Sequence, residues 1–304
     1  MPNNLQSPFR LLHWRLYPLN GKNSHTFRRP QGFTNYVVGI ENFNIFFDGY
    51  GDQQVANLGA ELMTSLSENK RELTVSVSLV LNDSNINQHH INSNSHVGIV
   101  VLATNGDSNL AELQMGTIIA SDSDTPQTFT STASTLNDPV SVFSGWSVSA
   151  DKNNDQNIVD WDFNAGSATI TGDSEDYLVT ISGAKAKLNN SSGDKFKYNT
   201  ITSLIAKTDP DNTYFDYQIV TPDDTEISFS KPVSKVRLML MSMTNNGDGK
   251  KNGLRAIYAL EPVALIDHDD RTHVSLLWND AQAGWVGAKS DWPSDLTYLC
   301  IAEF

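Results

Sequence analysis

Side chains alternate between apolar and polar along most of this chain, and no other feature restricts its folding as strongly. In RELTVSVSLVLND, Val75, Val77, Leu79 and Leu81 fall on one side of an extended backbone and Thr74, Ser76 and Ser78 on the other. A period of two is the pattern of a strand with one face buried. The stretches NFNIFF, HVGIVVLAT, GSATITG, DYLVTISGAKAKL, NTITSLIAK, TYFDYQIV, EISFS, KVRLMLMSM, LRAIYAL, THVSLLWND and DLTYLCIAEF extend the pattern, divided by Asn, Asp, Gly and Ser clusters. Short strands at close spacing with such turns predict antiparallel sandwiches or barrels. Only VANLGAELMTSL carries a competing helical period, through Leu58, Leu62 and Leu66.

Two of these strands match each other. VSLVLND at 77–83 and VSLLWND at 274–280 agree at the Val, Ser, Leu, Asn and Asp positions. Each follows a charged turn and precedes a polar loop and an apolar strand, which points to an internal duplication. The expected fold is all-β, with two or three antiparallel β-sandwich or jelly-roll-like units. An N-terminal arm occupies 1–34, a sandwich unit 35–126, a middle β unit 127–210, and a unit related to the first 211–304.

Composition narrows the partners. The chain has 304 residues, 39% of them hydrophobic, enough for ordinary cores, and a net charge of −14. That charge disfavours phosphate backbones, so nucleic acid is not an expected partner. The basic run HWRLYPLNGKNSHTFRRP reads as a solvated arm. MPNNLQSPFRLLHW lacks the layout of a secretory signal, and no run approaches the roughly 18 apolar residues of a membrane span. The expectation is a soluble protein without a transmembrane segment or classical export, with release by another route left open. Cys300 is the single cysteine, so an internal disulfide is excluded, and in LTYLCIAEF it reads as a buried strand thiol.

Three tryptophans recur near the end, at 278, 285 and 292. A seven-residue interval puts successive rings on opposite faces of a strand, so the spacing itself builds no platform. Trp278 shares a face with Val274 and Leu276 and belongs to the core. Trp285 and Trp292 fall in loops, the latter beside Asp291 and Asp295. These four are the candidate ligand-binding residues, since loop indoles stack on sugar rings and carboxylates accept hydroxyl hydrogen bonds. The alternative is that both indoles fold back as lids on their own sandwich.

The candidate metal site is DKNNDQNIVDWD, where Asp151, Asn153, Asp155 and Asn157 alternate and Asp160 and Asp162 close the stretch. Oxygen ligands spaced by two on a tight loop turn inward together, as calcium requires. Over these twelve residues the spacing resembles EF-hand-type loops, especially those of bacterial dockerins. The resemblance implies side-chain ligands at Asp151, Asn153, Asp155 and Asp162 and the carbonyl of Asn157. Gln156 stands where that family has glycine, and WDFNAGSATITG reads as strand and turn instead of helix. A solvated acidic hairpin is the alternative to calcium. His89, His90, His96, His268 and His273 lack the spacing of a zinc motif. NNGDGKKNG at 245–253 reads as a hairpin turn.

Signatures of catalysis are missing: no G-x-S-x-G, P-loop or H-E-x-x-H occurs, and the S-x-x-K at Ser182 and Lys185 lies in a predicted strand. The expected function is therefore non-catalytic binding of a glycan or cell-surface ligand through sandwich loops. One alternative is a structural or assembly component, for which a homo-oligomer is expected. Another is a β-rich toxin that binds target membranes, suggested by the Ser/Thr run TFTSTAST.

Overall fold

The computed structural model describes residues 7–18, 21–46, 56–82, 93–105, 111–120, 126–150, 158–172, 176–190, 196–209, 211, 213–246, 256–260, 262–278, 282–285 and 295–304. Every named element among them is a β-strand, so the fold is all-β.

The first third contains β1 (Phe9–Leu16), β2 (Ser24–Arg28), β3 (Asn35–Phe46), β4 (Asn57–Leu66), β5 (Glu72–Asn82) and β6 (His96–Thr104). β6 lies antiparallel between β1 and β3, and β5 between β2 and β4. The middle third contains β7 (Ala111–Ala120), β8 (Gln127–Ser131), β9 (Asn137–Ala150), β10 (Ile158–Asn164), β11 (Ser167–Thr171), β12 (Tyr177–Ser182), β13 (Lys185–Asn190) and β14 (Phe196–Lys207). Here β14 lies between β7 and β9, and β12 between β8 and β11. The last third contains β15 (Phe215–Val220), β16 (Glu226–Ser228), β17 (Lys235–Asn246), β18 (Ala256–Leu260), β19 (Val263–Ile266), β20 (His273–Leu277), β21 (Gln282–Trp285) and β22 (Asp295–Glu303). β22 lies between β15 and β17, and β20 between β16 and β19.

One pairing scheme thus recurs in all three thirds. Even the bulge in the third strand recurs, with Glu41, Ser144 and Met241 each left out of the ladder to the last strand of its unit. The units are joined edge to edge, by β4 with β9, β10 with β17, and β18 with β3. These three seams turn separate units into one six-stranded and two five-stranded sheets, with two three-stranded sheets beside them. Each seam satisfies backbone groups that an isolated unit would leave on an open edge.

Burial follows the same plan. Phe9, Leu11, Val100, Ala111, Leu113, Ile205, Phe215, Tyr217 and Leu299, drawn equally from the three units, form an inner core. Phe9 and Phe215 stack within it at 4.2 Å. A larger cluster fills the space between the layers. Cys300 belongs to it as a free, buried thiol, pushed up to about 12 by burial.

Several expectations are corrected by this arrangement. The segment read as a solvated arm forms β1 and β2, with Phe9 and Leu16 fully buried. Arg10, Arg15 and Arg28 sit at intervening positions, Arg29 is itself buried and donates to the Pro8 carbonyl at 2.9 Å, and Glu303 fastens β1 by accepting the Leu11 N–H at 2.9 Å and pairing with Arg10 at 2.9 Å. Residues 57–66 are strand, because Leu58, Ala60 and Leu62 line one buried face. The middle unit starts before 127, since β7 pairs with β14. The match between 77–83 and 274–280 does not mark equivalent places. Leu73 faces Phe27 and Leu66 as Val274 faces Ile227 and Ile266, so Val274 takes the place of Leu73, four residues ahead of Val77. Trp278 nevertheless packs against the core, half-buried, with its Nε1 donating to the Asp224 carbonyl at 2.8 Å. The stretch read as one strand through SGAK breaks at Gly183, which has φ of +70°, into β12 and β13.

Candidate functional site

The site worth building lies on the six-stranded sheet, at the seam between the first and second units. On β4, Leu58, Ala60 and Leu62 point into the core, so Asn57, Gly59 and Glu61 take the opposite face. On β9, buried Trp146 and Val148 leave Ser147 and Ser149 on that same face. Register then sets the rows: Asn199, Ser147, Gly59 and Val80 lie side by side across β14, β9, β4 and β5. Lys197, Ser149 and Asn57 form the next row, and Ile201, Gly145, Glu61 and Ser78 the one beyond.

Two glycines shape this seam. A Cβ on Gly59 would stand 2.8 Å from both Ser147 Cβ and the Trp146 carbonyl oxygen. A Cβ on Gly145 would stand 2.8 Å from Glu61 Cα. Glycine inside a strand marks such close approach of a neighbouring backbone. The bulge at Ser144 is held by its hydroxyl, which bonds the Val38 carbonyl and Ser203 Oγ. Together these features leave a groove of about 340 Å³, walled by hydroxyls, amides, one carboxylate and the Lys197 ammonium, over an apolar floor that includes Val80. Ser147 Oγ donates to Glu61 Oε1 at 2.6 Å, fixing the carboxylate against the wall. Asn199 Oδ1 is buried and accepts no hydrogen bond.

The sequence candidates lie elsewhere. Asp151, Asn153, Asp155, Asn157, Asp291 and Trp292 lie outside the described residues. Trp285 ends β21, paired with Ala256. Asp162 and Asp295 come from two different candidate sites, yet the fold puts them on one row, flanking Thr244 across β10, β17 and β22. That row holds, in the second seam, the place of Gly59, Ser147 and Asn199 in the first. Its chemistry differs: Asp162 is ion-paired with Lys185 and receives the Thr244 hydroxyl at 3.5 Å. Among the described residues no three His, Cys, Asp or Glu side chains gather as a metal site. None of their helices is long and apolar enough to cross a membrane.

Sequence reasoning missed Asn57, Glu61, Ser147, Ser149 and Asn199 because outward polar residues on alternating strands read as plain solvent face. The available signal was glycine within strand patterns, at 59 and 145. Comparison of the chain with protein-family models, with curated proteins and with solved structures finds no match.

Proposed function

We propose that this is a non-catalytic recognition protein whose groove between β4 and β9 takes a neutral, polyhydroxylated ligand, a glycan of the cell surface. The observation that carries the reading is Asn199 Oδ1, a buried acceptor without a donor in the wall of the groove. Leaving such an atom unpaired costs about 1–3 kcal/mol, which a hydroxyl-bearing ligand offsets. A sugar ring supplies hydroxyls for Asn57, Ser147, Ser149 and Glu61 and a C–H face for Val80. Glu61 is the one carboxylate among the lining residues, whereas glycoside hydrolysis ordinarily needs two. The reading moves recognition from loop tips to a strand surface, with Trp285 and Trp292 retained as candidates for stacking. A glycan array with the native chain tests it: binding that Ser149→Trp abolishes is expected, and binding unchanged by that variant places the ligand elsewhere. Trp285→Ala and Trp292→Ala measure the two indoles separately.

A second reading, a component of a larger assembly, is favoured by a patch on the last unit. Val263 and Leu277 pair across β19 and β20 and, with Leu265, stand exposed on the sheet's outer face. Exposed apolar clusters of this kind serve contacts between proteins. Light scattering behind size exclusion tests it, a monomer at all concentrations arguing against assembly.

A further inference from the structure

The third seam repeats the first with its polar groups redistributed. Between the last unit and the first, β18 pairs with β3, and Asn44 takes the place held by Ser147, His96 that of Asn199, and Asn42 that of Gly145. Gly98 takes the place of Ile201, so the missing side chain has moved from the third strand of a unit to its last. The strand-four position is small in both seams, Gly59 in one and Ala259 in the other. Phe43 and Ile45 are buried in the core, which turns Asn42 and Asn44 to the opposite face.

These amides are not ordinary surface groups. Asn42 is 7% exposed, and its carboxamide lies over Gly98, with Oδ1 2.3 Å from where a Cβ on that glycine would stand. Both Asn42 Oδ1 and Asn44 Oδ1 are buried without a hydrogen-bond partner. They are two residues apart on one strand, about 7 Å between backbones. Beside them His96 is nearly buried, its Nδ1 3.2 Å from the Asn94 carbonyl and its ring 5.4 Å from that of Tyr17. Two adjacent orphan acceptors call for a ligand rich in donors, and the neutrality of the amides selects hydroxyls over cations of high charge.

We infer that the chain carries a second site for hydroxyl-rich ligands at the β3–β18 seam, built on Asn42, Asn44 and His96, and that it binds two such ligands and not three. The middle seam is closed to the same neutral ligand because Asp162, paired with Lys185, and Asp295 fill the equivalent row with charge. Two sites on one chain let it bridge neighbouring glycans, and a second engagement on the same surface becomes intramolecular. The inference rests on the glycan reading of the first groove but uses different residues.

The test is a titration of the ¹⁵N-labelled 304-residue chain with methyl glycosides of galactose, glucose, mannose, fucose and N-acetylgalactosamine, followed by NMR at the side-chain amides of Asn42, Asn44 and Asn199. The expected result is that one probe moves all three. Asn44→Leu should then weaken binding at Asn42 at least tenfold and leave Asn199 responsive, while Ser149→Trp does the reverse; Asn44→Ser serves if the leucine variant loses spectral dispersion. Movement at Asn199 alone overturns the second site and leaves the first groove standing. Movement at Asn42 and Asn44 alone upholds the second site and removes the first groove. No movement at either overturns both, and a response at the amides of Asp162 and Asp295 overturns the count of two.

Discussion

The first and second seams of the molecule have one backbone frame and opposite chemistry. Across β14, β9 and β4 the central row reads Asn199, Ser147, Gly59; across β22, β17 and β10 it reads Asp295, Thr244, Asp162. The first leaves a buried acceptor unsatisfied, and the second pairs one of its two carboxylates, Asp162, with Lys185. Pairing fixes where side chains stand, and identity alone decides whether the place holds an open acceptor or an ion pair. The strands behind each seam also differ. β4 and β5 run unbroken, whereas the middle unit bends at Gly166 and Gly183, with φ of +95° and +70°, and the last unit breaks at Pro262. Glycine supplies the left-handed turn and proline withholds a ladder donor, so half of each strand leaves for a three-stranded sheet. Only the first seam backs onto two long strands, and its groove extends over β5.

The comparison breaks most readily beneath the seams. Trp146 lies under the first, fully buried, with Phe163 at 4.6 Å and Phe43 at 5.9 Å; Met243 holds the same place under the second. Replacing a buried aromatic by alanine costs about 3–5 kcal/mol, and a methionine, which fills gaps flexibly, falls toward the lower part of a range of about 2–5. Trp146→Ala should therefore lower the urea midpoint more than Met243→Ala. Equal losses would show that the seams are supported alike and that the aromatic cluster adds nothing particular to the first.

The bulges sharpen the contrast through pH. Glu41, Ser144 and Met241 hold equivalent places, yet only Glu41 titrates. Burial pushes its carboxyl up to about 7, against the attraction of Arg237 and Arg15 and the hydrogen bond from Leu238 N–H. A raised folded-state value means that the unfolded chain ionises first as pH rises. Glu41 thus leaves stability intact below about 4.5 and reduces it progressively up to about 7, by on the order of 3 kcal/mol. Glu41→Gln should raise the midpoint of unfolding at pH 8 and change little at pH 4. An equal gain at both pH values would trace the effect to packing instead of charge.

What the sequence disclosed divides along the same line. Alternation in strands such as 72–82 and a continuous apolar run in 96–104 were enough for all-β architecture, because these strands carry their burial in their own residues. Such patterns failed where pairing partners decide. β1 looks basic and solvated until Glu303, some 290 residues away, is seen to hold it. The threefold scheme also escaped, since it repeats positions and not letters: Phe27, Phe129 and Ile227 face Leu73, Val179 and Val274 in the three units. The one conspicuous string match, 77–83 with 274–280, is out of register with it. For the groove, composition gives no clue, as serine and asparagine on an outward face become a wall only when a second strand arrives at Gly59.

That glycine allows a narrower test. Gly59→Ala forces a methyl against Ser147 Cβ and the Trp146 carbonyl, of which the latter is backbone and cannot turn aside. Overpacking of this kind costs about 1–3 kcal/mol. Ala259, at the corresponding place in the third seam, already carries the methyl, so Ala259→Gly should cost no more than about 1 kcal/mol, as an added backbone freedom. Urea denaturation of the two variants compares them directly. If Gly59→Ala is neutral, the strands at the first seam can separate slightly, and the groove is not held at a fixed width by close approach.

The smallest effect is expected at the charged seam. Lys185 and Asp162 are each about one-third exposed on their side chains, and a pair so placed contributes between about 0 and 1 kcal/mol. Lys185→Met with Asp162→Asn should consequently leave the urea midpoint almost unchanged, even though it removes both charges from the row equivalent to the first groove. The consequence to watch is recognition. If charge alone closes this seam to neutral ligands, the double variant admits the glycoside that binds the other two, and the Thr244 amide responds in the same titration. If it does not respond, the closure lies in the bend after Asn164, which carries β11 away and leaves the second seam without the long paired strands that back the first.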